Sequence, residues 1–573
     1  MKKQILTLAI IAAVAGNIIA QNLATEITVD RTVVPVEQAA GAPRAFHPVL
    51  IRPSALAYRM PLTDYSRTSE CTDTLPALPP AVFNGMTFPT HYRGYASAGY
   101  FPALNFGAEA GYRLIDRSTT RLDAWGSWQG RSYTSRRVPA ADGKETGRIA
   151  DQSVQLAASL SRATGRNSLL SASFTYRHDA LRLPTAFDRD ASQAINAYRG
   201  EIGWSTRRGH ASLDASISAG RTALHSPIAV PTLLNASGKA DGAAEADYRL
   251  RVEGNILRNR DIGASLLVDA DILHRQRGLQ WVGDFTEAAA PGHSAATIVG
   301  ITPNATFNSR NLRGHIGLRL DFSHGYSGHS FRIAPDINIG WTPTATFGIY
   351  LRADGGSRHR SLASLAAICP FAPGATVASR STSAVDARAG LTAGPFAGFS
   401  AEIYGGYATV HGALMPLLLQ TSEGDFSTFG GANLSGWSVG GRLGYAWRNI
   451  VEVSADACLL PHGSYGHASA SAIDRARYVV DTRLTVRPFR QLSVELSYTL
   501  RGSRRFYKLA PGTSPVETDA GNDSRLDLGA TYALTSRWSA FLRVENILDS
   551  RPLLLPGLPA QGIGGLAGAV FRF

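Results

Sequence analysis

Lysine is scarce in this chain. Of its 57 basic residues only Lys2, Lys3, Lys144, Lys239 and Lys508 are lysine, so 52 are arginine. Acidic residues are outnumbered too, which leaves a formal charge of +13. The arginines are spread along the chain and form no basic cluster, which excludes nucleic acid as a partner. Arginine stays charged in any setting and grips phosphate or carboxylate with two parallel hydrogen bonds. Its abundance therefore fits lipopolysaccharide phosphates or an anionic solute, and equally ion pairs inside a lumen or the base composition of a genome.

Cysteine is nearly absent. Cys71, Cys369 and Cys458 are the only three, and none belongs to a C-x-x-C pair, so zinc and redox motifs of that spacing are excluded. An exported chain permits one disulfide, and the spacing selects no partners. Also missing, past the first twenty residues, is any apolar run of about 18, so no helix candidate crosses a membrane. A mean hydropathy of -0.07 argues against a bundle of membrane helices. It does not argue against a barrel, whose strands alternate apolar and polar residues.

Enzyme motifs are wanting as well. Gly436-Trp437-Ser438-Val439-Gly440 matches G-x-S-x-G, but that motif works only on a strand-to-helix elbow, and here the alternation of a strand continues to Tyr445. His324 with His329, and His462 with His467, lie five apart in Gly/Ser-rich stretches without an acidic or cysteine cluster, so metal ligation is not expected. No catalytic residue, metal or cofactor is assigned.

What is present begins with a secretory signal. Lys2 and Lys3 precede an apolar core from Ile5 to Gly16, and Ile18-Ile19-Ala20 suits cleavage that leaves Gln21 first. Residues 21–91 form a second region, dense in proline (Pro35, Pro43, Pro48, Pro53, Pro61, Pro76, Pro79, Pro80) and poor in alternation. Proline at that density cannot join interior strands. The expectation is an extended periplasmic or lumenal segment.

Residues 92–573 change to period two. Tyr248, Leu250, Val252 and Ile256 take one face, and Arg249, Arg251, Glu253 and Asn255 the other. The split recurs with Leu312, Ile316, Leu318 and Phe322 against Arg313, His315, Arg319 and Asp321. It recurs again with Leu492, Val494, Leu496 and Leu500 against Glu495 and Arg501. Segments of about 10 to 13 residues suit a tilted strand crossing a bilayer better than the usual soluble strand of about 5 or 6. Connections alternate between short, as at Asp116–Thr120 and Thr206–Gly209, and long, as at Gln276–Ser294, Gly355–Thr382 and Val410–Leu434. Short periplasmic turns and long outer loops are the barrel arrangement. The fold class read from this is all-β: one large antiparallel transmembrane barrel of about 20 to 22 strands, with 22 favoured. The lumen-lining candidates are Arg249, Arg251, Glu253, Arg313, Arg319, Asp321, Glu495, Arg501, Arg543 and Glu545. A solute path and a stiffening ion-pair network both fit them.

The C-terminus is the most specific feature. Ala567, Ala569, Phe571 and Phe573 share one face of a terminal strand, and a strand ending in an exposed aromatic is an assembly signal read by edge pairing. The last fifty residues resemble the end of a TonB-dependent receptor barrel. Arg525 to Tyr532 is similar to the family's penultimate down-strand. Trp538 to Asp549 resembles its aromatic-rich strand ending in Asn-aliphatic-Leu-Asp, here Asn546-Ile547-Leu548-Asp549. Phe571-Arg572-Phe573 matches the closing strand. The resemblance implies a 22-stranded barrel in the bacterial outer membrane with an N-terminal plug, energised by the TonB complex to transport a solute. The chain departs from that pattern in one place: only about 70 residues precede the first strand, about half of what the family's plug needs. Glu26-Ile27-Thr28-Val29 is the candidate TonB box, a short segment that pairs as an added strand. Expected partners are outer-membrane lipid and lipopolysaccharide, the barrel assembly machinery, and TonB or an outer-membrane partner protein. The alternative function is a plug-less accessory or scaffold barrel in an outer-membrane complex.

Overall fold

The computed structural model describes residues 92–101, 105–135, 147–183, 191–225, 243–257, 261–277, 295–326, 330–364, 379–421, 424–459, 476–509, 516–555 and 558–573. The signal sequence, the Pro-rich segment, the candidate TonB box, Cys71 and Cys369 lie outside them.

The chain forms strands β1 Gly94–Phe101, β2 Asn105–Asp116, β3 Thr120–Ser135, β4 Gly147–Gly165, β5 Ser168–Leu183, β6 Ala191–Arg208, β7 Ala211–His225 and β8 Ala243–Leu257. Next come β9 Ile262–Arg277, β10 Ala295–Asn308, β11 Leu312–His324, β12 Phe331–Thr344, β13 Phe347–Arg360, β14 Ser379–Phe396, β15 Phe399–Thr421 and β16 Gly424–Trp447. β17 Val451–Leu459, β18 Tyr478–Phe489, β19 Leu492–Gly502, β20 Arg505–Leu509 and β21 Val516–Asp519 follow, then β22 Asp523–Ala533 and β23 Trp538–Glu545. β24 Leu553–Leu555, β25 Leu558–Pro559 and β26 Gly564–Arg572 end the chain.

Neighbours in sequence pair antiparallel, and β26 returns to pair with β1 from Tyr95↔Arg572 to Tyr100↔Ala567, which closes the sheet. The sheet holds 24 strands. Two of these, β20 and β21, form a hairpin inside one loop, and the remaining 22 make a closed barrel. Closure leaves the main ladder no free edge, so the strands satisfy one another's backbone groups, which a bilayer interior requires.

Cross-strand partners share a face, so register assigns every side chain to lipid or lumen. Leu250, Ile217, Leu318, Ile403 and Leu443 all point outward and are exposed. An arginine in place of a mid-wall leucine such as Leu250 would cost roughly 2–4 kcal/mol in a bilayer. At the short-turn end, outward rings gather into a belt. Trp538 lies on Phe571 with centroids 4.7 Å apart, and Phe399 on Tyr445 at 4.3 Å. The Tyr112 and Phe573 rings lie 6.0 Å apart across the closing seam. Amphipathic rings favour the membrane–water boundary.

Several connections are shorter than the periodicity implies. Residues read as a long polar stretch, Val410–Leu434, instead continue β15 and β16 as a hairpin, with residues 422 and 423 between the strands. Gly412, at φ 65, breaks the ladder once between Val410 and Ala413, and pairing then resumes to Thr421. Above the bilayer both faces of a hairpin meet water, so strands persist there without alternation. β20 adds to this extension in parallel, through Leu417↔Tyr507 to Leu419↔Leu509.

Candidate solute path through the barrel

All ten candidate residues occupy inward register positions. On β8, Arg249 lies opposite Asp271 and Arg251 opposite Asp269, while Leu250 between them faces lipid. Arg249 contacts Asp271 at 3.2 Å, and Arg251 contacts Glu253 on its own strand at 3.3 Å. Arg319 on β11 reaches across β10 to Asp269 at 2.7 Å and holds Asp321 at 2.8 Å. Asp321 is 1% exposed and also accepts the Ser357 backbone N–H at 2.5 Å. Asp269 and Asp271 thus join the β8 and β11 candidates into one patch. The periodicity reading passed over both, although Leu266, Val268, Ala270 and Ile272 alternate around them.

The other candidates sit elsewhere on the wall. Glu495 pairs with Arg483 at 3.1 Å. Arg543 lays its guanidinium 5.4 Å from the Phe541 ring centre, with Glu545 beyond it on β23. Arg501 lies near the outer end of β19, and Arg313 at the short-turn end of β11.

A second cluster on β13 to β17 was not singled out from sequence. Arg442 bridges Asp456 at 2.8 Å and Glu402 at 3.5 Å. Tyr350 donates its hydroxyl to Glu402, and Tyr404 donates to Asp456 at 3.2 Å. Arg388 lies 4.0 Å over the Tyr404 ring. Cys458, a free thiol, shares this inward face. The contributing strands are consecutive, and their register sets these side chains side by side.

The inner wall changes character with height. Midway and below, Arg251, Arg442 and Arg483 are half-exposed to the lumen. Toward the outer mouth, inward side chains are almost fully buried, with Ile149, Leu181, Ile195, Leu224, Leu273 and Ile298 interleaved among Asp179, Gln193, Glu245 and Asp247. The outer end of β13 crosses this mouth. His359 Nε2 lies 2.9 Å from the Asp271 carbonyl, and the Leu362 N–H donates to Glu245 on β8. His359 and Leu362 therefore lie against the outer ends of β9 and β8, above an inner wall where charged side chains stay accessible to water.

Gly436 to Gly440 lies within β16, with Ser438 buried on the inward face, so the G-x-S-x-G match has no elbow. Among the described residues no group of three or more His, Cys, Asp or Glu gathers as a metal site.

The Asn-aliphatic-Leu-Asp segment is a loop staple at the outer end of β23. Asn546, at φ 54 and 4% exposed, donates to the carbonyls of Ser550 at 2.7 Å and Gln561 at 2.8 Å, and accepts from Ser550 N–H at 3.1 Å. Asp549 accepts the Ile563 N–H at 3.0 Å. That bond, with Arg551 beside it, holds the Asp549 carboxyl below the usual aspartate range.

No protein-family model matches the sequence, and no curated protein does. Solved structures share the fold. A ferric enterobactin receptor (PfeA) mutant of Pseudomonas aeruginosa aligns at 12% identity and a TM-score of 0.60, covering 84% of this chain and 80% of that one. The siderophore receptor PirA of Acinetobacter baumannii aligns at 11% and 0.59, with the same coverage. The FrpB iron transporter of Neisseria meningitidis aligns at 11% and 0.60, covering 84% and 81%. These neighbours are receptors and transporters, not enzymes, and the fold they share with this chain is the 22-stranded barrel.

Proposed function

We propose that this chain is a TonB-dependent-receptor-like barrel of the bacterial outer membrane that binds an anionic iron chelate at its outer loops and passes it through the lumen. The observation that carries the reading is the closed barrel with a lipid-facing outer wall and a charged wet basin, in the fold of siderophore and iron receptors. Arg251, Arg442 and Arg483 present half-exposed guanidinium groups to that basin and suit a carboxylate or catecholate cargo. In this reading Glu26 to Val29 is the TonB-pairing segment, and the ten inward candidates line the path.

The test is accumulation of radio-iron presented as a ferric catecholate to iron-starved cells carrying the intact chain. Uptake should exceed that of cells without it and fall to background when the energising complex is removed. Uptake that persists without the complex contradicts energised transport.

The half-exposed Arg251, Arg442 and Arg483 would also suit an acidic partner protein, which gives a second reading, an accessory barrel whose lumen that partner completes. Gentle detergent extraction would then yield a stoichiometric partner, and a barrel that purifies alone contradicts it.

A further inference from the structure

The short-turn end of the barrel, which faces the periplasm where both termini of the sheet lie, carries exposed arginine at almost every turn. Walking round from the seam, Arg93 precedes β1, Arg117 lies between β2 and β3, Arg162 near the end of β4, Arg166 between β4 and β5, and Arg208 ends β6; all five are exposed. Further round, Arg310, Arg448, Arg490 and Arg537 occupy the turns before β11, β17, β19 and β23, and all four are exposed. Three acids near this rim face other cations. Asp116 pairs with Arg113 at 3.1 Å, Asp123 with Arg121 at 2.7 Å and Glu452 with Arg487 at 3.7 Å. Among the described residues the rim is therefore a cationic ring interrupted at three turns: β8–β9, where Asp261 is exposed, and β12–β13 and β14–β15, where Thr344 to Phe347 and Phe396 to Phe399 bring aromatics and no charge.

We propose that this ring binds the phosphate headgroups of anionic phospholipids in the periplasmic leaflet. The inference rests on the outer-membrane placement and not on what the barrel transports. Three observations favour lipid over a soluble acidic partner. The charge encircles the barrel instead of forming one patch, and lipid is what meets every side at once. Arg162 and Arg208 take outward register positions at strand ends, where a side chain can lie along the wall with its head at the boundary. The ring also borders the aromatic belt, and Arg448 stacks 5.6 Å from the Trp447 ring centre, which fixes a guanidinium at headgroup depth.

The test uses the full-length barrel in phosphatidylcholine vesicles into which brominated phosphatidylglycerol is titrated, with tryptophan quenching read as a relative binding constant. Phosphatidylglycerol should be preferred over brominated phosphatidylcholine. In the quadruple variant R117Q/R162Q/R166Q/R208Q the preference should drop by about fivefold for each guanidinium that a headgroup loses. The matching quadruple lysine variant should keep most of it. Equal preference in the wild type and the glutamine variant overturns the proposal. So does competition by inorganic phosphate at the lipid's own concentration, which would mark a free-anion site. Crosslinking from Arg166→Cys in cells that captures a periplasmic protein in place of lipid overturns it as well. Should the glutamine variant fail to fold, a wild-type preference that survives 1 M salt, where screening leaves a range of only about 3 Å, overturns it equally. None of these outcomes depends on iron uptake, so the ring and the transport reading fail separately.

Discussion

At the closing seam Gly99 and Gly568 lie opposite each other beneath the Phe541 ring. A Cβ on Gly568 would stand 2.1 Å from the Ala98 carbonyl oxygen and 2.6 Å from the Gly99 Cα, both backbone atoms that cannot swing aside. Tyr95, Phe541 and Val570 pack over this spot as a small apolar cluster on the inner wall, and the Tyr95 hydroxyl donates to Glu109 at 2.5 Å. Gly568→Ala should force the last strand off the first and cost roughly 1–3 kcal/mol, as overpacking does. The check is the temperature at which the barrel loses its compact gel mobility, which should drop. An unchanged value contradicts the seam packing. Asn546 gives a second prediction. Asn546→Ala removes three loop hydrogen bonds from a buried position and should open residues 546–563 to limited proteolysis, with the barrel intact. The same loop should loosen in acid. Its Asp549 carboxyl is held below the usual value near 3.8, so the tether is present above that pH and is lost as pH falls through the depressed value. The sequence marked Asn546 and Asp549 as a recognisable motif, but its bonds run to Ser550, Gln561 and Ile563 in the following loop, and no spacing rule names those partners.

At the scale of the strand, alternation around Arg249, Arg313 and Glu495 was enough to separate lipid from lumen, because a bilayer penalises any exception on the outer wall. Strand number followed from direction. Nine strands up to His274, three between Ala295 and Thr344 and ten afterwards make the 22 that were favoured. The extension of β15 and β16 to Thr421 and Gly424 is not legible in the periodicity, because above the membrane polarity no longer depends on face. The two lumenal clusters were only half visible. Asp269 and Glu402 are not among the sequence candidates, and barrel register sets them beside Arg319 and Arg442. The terminal strand offers the test at this scale. Phe573 accepts N–H bonds from Arg93 at 2.9 Å and Gly94 at 2.8 Å, and its ring stacks on Phe571 at 5.7 Å. On the proposal that assembly reads this strand by edge pairing, removing Phe573 should lower the folded fraction recovered in the outer membrane several-fold. Pulse-labelled cell fractions would measure it. Wild-type recovery would remove the terminal strand from that role.

For the whole molecule, the balance of terms follows from the solvent on each side of one wall. A soluble protein hides apolar surface in a core, whereas this chain turns Leu250, Ile217 and Leu318 outward and keeps Arg249, Arg251 and Arg319 inside. Charged groups inside are then paired across strands, as Arg249 is with Asp271 and Arg319 with Asp269. The direct measurement is paired cysteine labelling on β8, with Cys71, Cys369 and Cys458 replaced by serine and the barrel held in lipid vesicles. Arg249→Cys should react with a membrane-impermeant maleimide and resist a bilayer-partitioned one, and its neighbour Leu250→Cys should do the reverse. Equal labelling of the two positions by the water-soluble reagent would contradict a wall with lipid on one face and water on the other.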